Sequence, residues 1–555
     1  MTRSAAALLA ETLDKHGVDL IYCVPGESYL AVTDALIDLP QIRLIVCRHE
    51  SGAAFMAVAD AKLRNKPGVC IVSRGPGATN ASIAVHVADH DAVPLVLFVG
   101  QAERPDLGRR ALQEMNFTKT FSDMAKLVIE VNDGKLLAEA TARAFHVAQT
   151  GSPGPVVVVL PEDMLFDQTD APALGPRAVA RSAPLADDVA KVADLINKAE
   201  RPVMLVGATY AGDRALADLT RFSEAWSVPI CPTHRRPHLF DSEHPNYGGY
   251  VGNRVPAPQI AQLKEADLIL AVGERLTDSV TQGYSFPATP VPKQDLIHVW
   301  PDAVEVGRVW QPTLGLGCDP HAFIEALLAA KPQPAAGRKA WIERLNKMHR
   351  ELTTWKKVTA NDGVVFGAVI AAIKPLLSAD AVVTVDAGNF TTWIHRYLYF
   401  KQTNMFVGAA VGAMGAGVPS AVAAGLRRPD RQAIAFVGDG GFLMTGNELA
   451  TAIQYGAPVK IFICNNNCYG TIRMHQELRF PGRVAATELR NPDFAAMARA
   501  FGAVGLTIDN DADVEPVVRE AMTTDKPVVV DVRASLNHFT AWRRLDEMPA
   551  YKAAE

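Results

Sequence analysis

The sequence has few cysteines, and their spacing speaks against the sites that cysteine usually builds. Seven cysteines are scattered over 555 residues, and no two of them form a CxxC pair. An odd number without paired spacing argues against a disulfide framework and against a zinc site. It favours reduced thiols in the protein core and predicts a cytoplasmic protein.

An excess of positive charge and a long apolar run are also missing. The formal net charge is −5, and the sequence contains no block of basic residues. We therefore expect neither nucleic acid nor an anionic membrane surface as a partner. Glu11, Asp14 and Lys15 interrupt the apolar run near the N-terminus, which predicts an amphipathic helix rather than a signal peptide. No uninterrupted apolar run is long enough to predict a membrane span.

The sequence does contain a repeated alternation of strand, glycine or proline turn, and helix. Continuous apolar runs such as 155–163 predict strands that are buried on both faces of a parallel sheet. Two proline- and alanine-rich stretches, 167–188 and 331–339, separate three sets of such runs. Because ligands of such sheets bind at the carboxyl ends of the strands, we expect the functional residues in the loops that follow those ends. The prediction is an α/β fold with three doubly wound parallel-sheet domains, at 1–170, 186–332 and 358–540.

An acid flanked by glycines ends one of these apolar runs. Asp439 follows the run AIAFVG and stands among Gly438, Gly440 and Gly441. Glycines at a strand end let backbone N–H groups approach an anion, and the helix expected next adds partial positive charge. An acid beside an anion is repulsive unless a cation lies between them. Asp439 therefore predicts Mg²⁺ that bridges to a phosphate group.

Two asparagines, Asn465 and Asn466, end the next apolar run along the chain. Neighbouring parallel strands lie about 4.8 Å apart, so oxygen atoms from both strand ends can join Asp439 around one hard cation. Either pattern alone is common in turns and helix caps. Their combination is more specific, and it predicts one metal site that is built from two neighbouring strand ends.

This paired pattern resembles the thiamine diphosphate enzyme family, in which GDG followed by NN marks the diphosphate and Mg²⁺ site. The resemblance extends along nearly the whole chain and implies a pyrimidine-binding, a middle and a diphosphate-binding domain, in that order. It implies that Asp439, Asn466 and the backbone carbonyl of Cys468 bind Mg²⁺, with the thiol as a bystander. Cofactor contacts on this side are expected from Asn389, Gly438, Asp439, Gly440, Gly441, Asn466, Tyr469, Gly470 and Thr471.

A family member also needs a glutamate at a strand end of its other outer domain, and Glu50 meets this need. The motif GPGATN follows at 75–80, and the chain is most similar to the acetohydroxyacid synthase subfamily. Met414 of this chain stands where that subfamily has the bulky residue that bends the cofactor. The resemblance implies that Glu50 hydrogen-bonds the pyrimidine ring and controls its proton, and that Gln113 faces the reacting centre. The remaining cofactor contacts are expected from Pro25, Gly26, Asn80, Gly412 and Met414.

The chain departs from that subfamily at positions where substrate is bound. Glu162 stands in place of a lysine, Ser279 in place of an arginine, and His475 in place of a tryptophan. Losing a cation near a carboxylate-bearing substrate changes which substrate is bound. The donor and the acceptor therefore stay open. The expected substrate-pocket residues are Glu27, Gln113, Arg473 and His475.

The resemblance implies an enzyme that uses thiamine diphosphate and Mg²⁺ to decarboxylate a 2-oxo acid, to join the product to an aldehyde or ketone acceptor, or both. Two alternatives remain: a lyase that cleaves a 2-hydroxy ketone or 2-hydroxyacyl compound, and an FAD-linked oxidase. A regulatory protein that had lost the chemistry is expected to lack Glu50, which is present.

Relatives use the middle domain for FAD, for ADP or for neither. Because Ser279 replaces an arginine, we expect no FAD in this protein. The resemblance further implies that each active site lies between two chains. The minimal unit is then a homodimer, and we expect a homotetramer.

Overall fold

A parallel sheet of six strands forms the core of the N-terminal region, within the residues 2–548 that the computed structural model of the protein describes. The elements of this region are, in chain order, β1 (Arg3–Ser4), α1 (Ala5–Lys15), β2 (Leu20–Cys23), α2 (Leu30–Ile37), β3 (Arg43–Val46), α3 (Glu50–Arg64), β4 (Gly68–Val72), α4 (Gly75–His90), β5 (Leu95–Gln101), α5 (Phe117–Phe121), β6 (Leu127–Glu130), α6 (Leu137–Gln149), β7 (Pro155–Pro161) and β8 (Gln168–Thr169). The sheet order is β3-β2-β4-β5-β7-β6. Strands β5 and β7 are buried along their whole length, as expected for strands with helices on both faces.

The middle region contains a parallel sheet of five strands. Its elements are α7 (Ala186–Lys198), β9 (Pro202–Val206), α8 (Asp213–Trp226), β10 (Ile230–Pro232), α9 (Ala257–Leu263), β11 (Leu268–Val272), β12 (Asp295–Trp300), β13 (Leu314–Gly317), α10 (Pro320–Leu328) and α11 (Arg338–Thr353). The sheet order is β10-β9-β11-β12-β13. The order reverses between the first and third strands, which is typical of a doubly wound sheet.

The C-terminal region repeats the strand order of the N-terminal sheet. Its elements are α12 (Phe366–Ile373), β14 (Val382–Val385), α13 (Thr391–Tyr397), β15 (Met405–Gly408), α14 (Gly417–Arg427), β16 (Ala433–Gly438), α15 (Asp439–Thr445), α16 (Leu449–Tyr455), β17 (Val459–Asn465), α17 (Gly470–Arg479), α18 (Phe494–Ala500), β18 (Val504–Ile508), α19 (Val514–Thr523) and β19 (Val528–Arg533). The sheet order is β15-β14-β16-β17-β19-β18. Because β16 and β17 are neighbours, Asp439 and Asn466 follow adjacent strands at one edge of the sheet.

These three parallel sheets with flanking helices confirm the predicted α/β fold. The chain divides into two compact units, and the first of them contains the N-terminal sheet together with 409–430 and 441–459. Within this unit α3 packs against α14, and Arg427 of α14 donates hydrogen bonds to Asp60 of α3. The second unit contains the middle and C-terminal sheets.

The structure bears on two expectations from the sequence, one about the cysteines and one about membrane spans. All seven cysteines are buried and none is in a disulfide, which confirms that they are core thiols. Within the part of the chain that the structure describes, every helix is too short or too polar to cross a membrane.

Candidate functional site

Asp439 is a buried acid without a cationic partner. It lies directly after β16, and the residue is 3% exposed. Its Oδ1 accepts the N–H of Gly440 at 2.9 Å, and its Oδ2 accepts Nδ2 of Asn491 at 2.8 Å. No lysine or arginine among residues 2–548 forms an ion pair with it. Burial raises the pKa of Asp439, and the hydrogen bonds that it accepts oppose that rise.

The two asparagines at the end of β17 have different roles. Asn465 is turned into the protein: its Nδ2 donates to Asp531 at 2.8 Å, and its Oδ1 accepts Nδ2 of Asn491 at 2.9 Å. Asn466 remains at the strand end, where its Oδ1 accepts the N–H of Cys468 at 3.1 Å. The carbonyl of Cys468 accepts the N–H of Gly470 at 2.7 Å, which leaves that oxygen a second lone pair.

These donor atoms fit a magnesium ion. A carboxylate, an amide oxygen and a backbone carbonyl are the hard ligands that Mg²⁺ prefers, and Asp439, Asn466 and Cys468 supply one of each. A buried carboxylate needs a cation or a metal to offset the loss of hydration. The ring of Tyr469 packs closely on Gly440, because a Cβ there would lie 2.4 Å from Cε1 of Tyr469. The residues present therefore fit the metal.

Asn389 connects the end of β14 to the start of α17. Its N–H donates to Oγ1 of Thr471 at 3.0 Å, and its Nδ2 donates to the carbonyl of Gly470 at 3.2 Å. The residue is 7% exposed. The structure thus brings together three of the residues expected to contact the cofactor, and it places them at the helix that Tyr469 precedes.

Asn491 is a site residue that sequence reasoning missed. It contacts both Asp439 and Asn465, yet it lies in a loop 25 positions after Asn466. Its Oδ1 is buried without a donor. The only local signal is the turn-forming sequence NPD, which is common in loops.

In the first compact unit, Glu50 is the first residue of α3 and lies beside Asn80. Nδ2 of Asn80 donates to Oε2 of Glu50 at 2.9 Å. A Cβ at Gly77 would lie 3.5 Å from Oε1 of Glu50, so the GPGATN helix packs closely on the carboxyl group. A carboxylate at a helix N-terminus is favoured by the helix dipole. Glu50 and Asn80, both expected to contact the cofactor, are therefore adjacent.

Glu448 fixes the start of the helix that carries Glu50, and sequence reasoning missed it too. It is fully buried. Its carboxylate accepts the N–H groups of Arg48 and His49 at 3.0 Å each and the hydroxyl of Thr451 at 2.6 Å. A Cβ at Gly52 would lie 2.3 Å from Oε1 of Glu448, so only glycine fits there. Glu448 thus holds the two residues that precede Glu50.

Replacing Glu448 by alanine is expected to lower the free energy of unfolding by about 1–3 kcal/mol, because two N–H groups lose a buried acceptor. We also expect kcat to fall about tenfold or more, since the start of α3 is no longer fixed. Denaturant unfolding and steady-state kinetics measure the two effects. Glu448→Gln keeps an acceptor oxygen and is the matched control, expected to stay close to wild type. An alanine variant with wild-type stability and kcat contradicts this role.

The loop after β2 contains Pro25, Gly26 and Glu27. A Cβ at Gly26 would lie 2.5 Å from Cβ of Ser73, so the loop lies directly on the end of β4. Pro25 and Glu27 are exposed. Their side chains are therefore free to face a ligand, and Glu27 stays a candidate.

Gln113 lies in the loop before α5, with a φ of 60°. Its backbone carbonyl accepts the N–H of Gly75 at 3.0 Å, which holds the loop against the start of α4. The side chain is exposed. The predicted role of Gln113 at the reacting centre stays a prediction.

Met414 lies in the loop between β15 and α14. Gly412 and Gly415 flank it with φ values of 77° and 87°, a conformation that glycine adopts without strain. Oγ1 of Thr445 donates to the carbonyl of Gly415 at 2.7 Å. The side chain of Met414 is half-buried, and its predicted contact with the cofactor stays a prediction. Gly441 belongs to this same unit.

Two charged residues that the sequence singled out, Glu162 and Arg473, have partners within the chain. Glu162 forms an ion pair with Arg74, which also donates to the carbonyl of Leu112 at 3.2 Å. Arg473 pairs with the buried Glu477 at 2.9 Å, so this expected pocket residue already has a counter-charge. Each of these charges is therefore paired within the chain.

His475 has an unexpected neighbour in the same compact unit. Its Nε2 lies 3.2 Å from Nη2 of Arg254, a residue of the loop between β10 and α9. Burial is the largest cause that lowers the pKa of His475, and the charges of Arg254 and Arg479 lower it further. A neutral ring can accept the N–H of the guanidinium. Sequence reasoning did not single out Arg254.

In the middle sheet, a buried acid fills the carboxyl ends of β9 and β11. Glu274 is 6% exposed. It accepts the hydroxyl of Thr233 at 2.5 Å and the N–H of Leu276 at 3.1 Å, and burial raises its pKa. A Cβ at Gly207 would lie 2.2 Å from its Oε2. Glu274 therefore occupies the space where a doubly wound sheet binds a nucleotide.

Comparison with protein families identifies the class of protein. The thiamine pyrophosphate enzyme N-terminal TPP binding domain matches residues 3–120, the central domain matches 189–327, and the C-terminal TPP binding domain matches 386–532. These matches define a thiamine pyrophosphate (thiamine diphosphate) enzyme.

Individual relatives identify the branch. The chain is 32% identical over 551 residues to the acetolactate synthase large subunit of Parasynechococcus marenigrum, covering 96% of this chain and 87% of that protein. It is 30% identical over 531 residues to the isozyme 2 large subunit of acetolactate synthase from Escherichia coli, covering 95% of each. A putative thiamine pyrophosphate-containing protein of Bacillus subtilis, YdaP, is 29% identical over 545 residues, covering 96% of this chain and 91% of YdaP. The chain therefore belongs to the acetolactate synthase family of thiamine pyrophosphate enzymes.

Proposed function

We propose that the protein uses thiamine diphosphate and Mg²⁺ to decarboxylate a 2-oxo acid and to join the product to an aldehyde or ketone acceptor. The observation that carries the magnesium part is Asp439, a buried acid with no cationic partner, beside the free lone pairs of Asn466 and the Cys468 carbonyl. Asn491 orients the carboxylate, because it donates to the Asp439 oxygen that Gly440 leaves free.

We assign proton control to Glu50. When bound, the cofactor supplies the electron sink that lets CO₂ leave, and the protein supplies geometry and proton transfer. Asn80 donates to one oxygen of Glu50, which leaves the other oxygen for the cofactor. Glu448 fixes the backbone just before Glu50, so both the carboxyl group and the chain that carries it are held in place.

The substrate pocket differs from that of biosynthetic acetohydroxyacid synthase. Arg74 and Glu162 form an ion pair where the subfamily has a lysine, and His475 lies beside Arg254. These charges support a changed donor or acceptor. Cleavage of a 2-hydroxy ketone or 2-hydroxyacyl compound is the second candidate, because the same cofactor and the same proton control serve both directions of carbon–carbon bond chemistry.

We propose that neither FAD nor ADP is needed in the middle domain. Glu274 supports this, because its buried carboxyl group occupies the strand ends where a pyrophosphate would bind. We also propose a homodimer as the minimal unit and a homotetramer as the assembly, in the cytoplasm. The assembly is supported by Glu50 and Asp439, which belong to separate compact units of the chain. The cytoplasmic location is supported by the buried cysteines, because thiols outside disulfides are usual in a reducing compartment.

A panel of 2-oxo acids tests the proposed function. The purified protein with thiamine diphosphate and Mg²⁺ is incubated with each acid, with and without an aldehyde acceptor, and CO₂ and product masses are measured. We expect CO₂ release that depends on both the cofactor and the metal, and a carboligation product with at least one acceptor. Cleavage of a 2-hydroxy ketone without CO₂ release would favour the lyase instead.

A further inference from the structure

Arg254 is a half-buried cation that no acid neutralises. Burial and the charge of Arg543 lower its pKa to about 10, so it stays charged at neutral pH. Within residues 2–548 no aspartate or glutamate forms an ion pair with it. Its guanidinium contacts Met474 and lies 3.2 Å from Nε2 of His475. A partly buried charge without a counter-charge is costly, and an anionic ligand is the usual way to offset that cost.

The surroundings of Arg254 are also cationic. Arg479 and Arg543 lie close enough to shift the pKa values of His475 and Arg254 respectively. Neither of these arginines forms an ion pair with an acid in the described part of the chain. Arg473 is the exception on this helix, since Glu477 neutralises it. The positive potential beside His475 therefore attracts a negatively charged group.

The backbone holds Arg254 in a fixed position. Its φ is 64°, and the side chain of Gln282 accepts the N–H of Val255 at 3.1 Å while donating to the carbonyl of Gly252 at 2.7 Å. Nε2 of Gln282 also donates to the carbonyl of Ser279 at 3.0 Å. Arg254 is thus tied to the segment in which Ser279 replaces an arginine, and it can supply the cation that Ser279 does not.

The guanidinium of Arg254 contacts the helix that begins at the residues expected to bind the cofactor. Met474 and His475 belong to α17, which starts at Gly470. A helix rises 1.5 Å per residue, so His475 lies roughly 6 Å along the helix axis from Thr471.

We propose that Arg254 binds a substrate carboxylate that remains in the product, which makes it a specificity residue for an acidic acceptor or a dicarboxylic donor. This inference rests on the proposed function. The carboxylate that leaves as CO₂ is a poor ligand for such a residue, because an ion pair that is lost in the transition state stabilises the substrate and slows the reaction. A carboxylate that is kept gains binding without that penalty, and the planar guanidinium suits bidentate contact.

A binding experiment separates this inference from the proposed function, because it needs no turnover. Lactate and uncharged lactamide are compared as probes by saturation-transfer NMR, on the full chain with thiamine diphosphate and Mg²⁺. We expect wild type to prefer lactate, and Arg254→Gln to lower lactate affinity about 10- to 100-fold without changing lactamide binding. Arg308→Gln, which alters an exposed arginine of the same domain, is the matched control. Equal lactate affinity in wild type and Arg254→Gln overturns the inference, even if the substrate panel succeeds.

A kinetic arm uses a donor that the panel identifies. With Arg254→Gln we expect the KM of a 2-oxo acid acceptor to rise about 10- to 100-fold, and that of acetaldehyde to change less than about threefold. CO₂ release from a monocarboxylic donor is expected to stay near wild type. An equal rise in both acceptor KM values indicates a structural role and overturns the inference.

Discussion

Replacing Glu50 by glutamine is expected to lower kcat by at least about 100-fold while thiamine diphosphate still binds. Glutamine has nearly the same shape, and its carbonyl oxygen can still accept Nδ2 of Asn80, which now donates to Glu50 at 2.9 Å. The amide group that takes the place of the second oxygen cannot exchange a proton with the cofactor. The loss therefore falls on catalysis rather than on binding. Turnover of the 2-oxo acid identified by the panel measures kcat, and calorimetric titration measures cofactor affinity.

A matched control is available in the same compact unit. Glu139 lies in the first turn of α6 and is exposed, so Glu139→Gln removes an acid from a similar helix position. We expect its kcat to match wild type. If Glu50→Gln also turned over at the wild-type rate, Glu50 could not be the residue that controls the cofactor's proton. If it failed to bind the cofactor, its role would be binding.

Local patterns in the sequence were enough to predict the centre of the candidate site. Asp439 and Asn466 each end a buried strand, and the doubly wound fold brings such ends to one edge of a sheet. The fold class followed from the same alternation of strands and helices. The structure confirms the α/β fold and places the two side chains after adjacent strands. The cofactor contacts of single residues, by contrast, remain predictions.

The supporting residues could not be predicted, because their partners are remote in sequence. Asn491 reaches Asp439 from a loop with no periodic pattern. Glu448 contacts the backbone N–H groups of residues 399 and 400 positions away, and backbone donors leave no trace in a side-chain motif. Arg254 depends on a left-handed backbone conformation held by Gln282. Such contacts depend on how loops fold back, which residue type and spacing do not encode.

Replacing Asp439 by asparagine is expected to weaken Mg²⁺ binding at least about 100-fold and to abolish activity at ordinary Mg²⁺ concentrations, because the only charged ligand is lost. The same change should leave the metal-free protein as stable as wild type, or more so. The carboxylate is buried with no cation beside it, and we expect the gain from removing that charge to offset the one hydrogen bond that asparagine cannot accept. Metal titration and thermal unfolding of the metal-free protein measure the two effects.

A loss of Mg²⁺ affinity without a loss of stability in the metal-free protein distinguishes a metal ligand from a structural acid. Asp531 is the matched control, since it is buried in the same sheet and its Oδ1 accepts Nδ2 of Asn465 at 2.8 Å. Asp531→Asn can keep that hydrogen bond but loses the ion pair with Arg533 at 3.0 Å. We expect it to lower stability and to leave Mg²⁺ affinity within a few-fold of wild type. If Asp439→Asn instead destabilised the metal-free protein and bound Mg²⁺ normally, Asp439 would be a structural residue, and the metal would have to lie elsewhere.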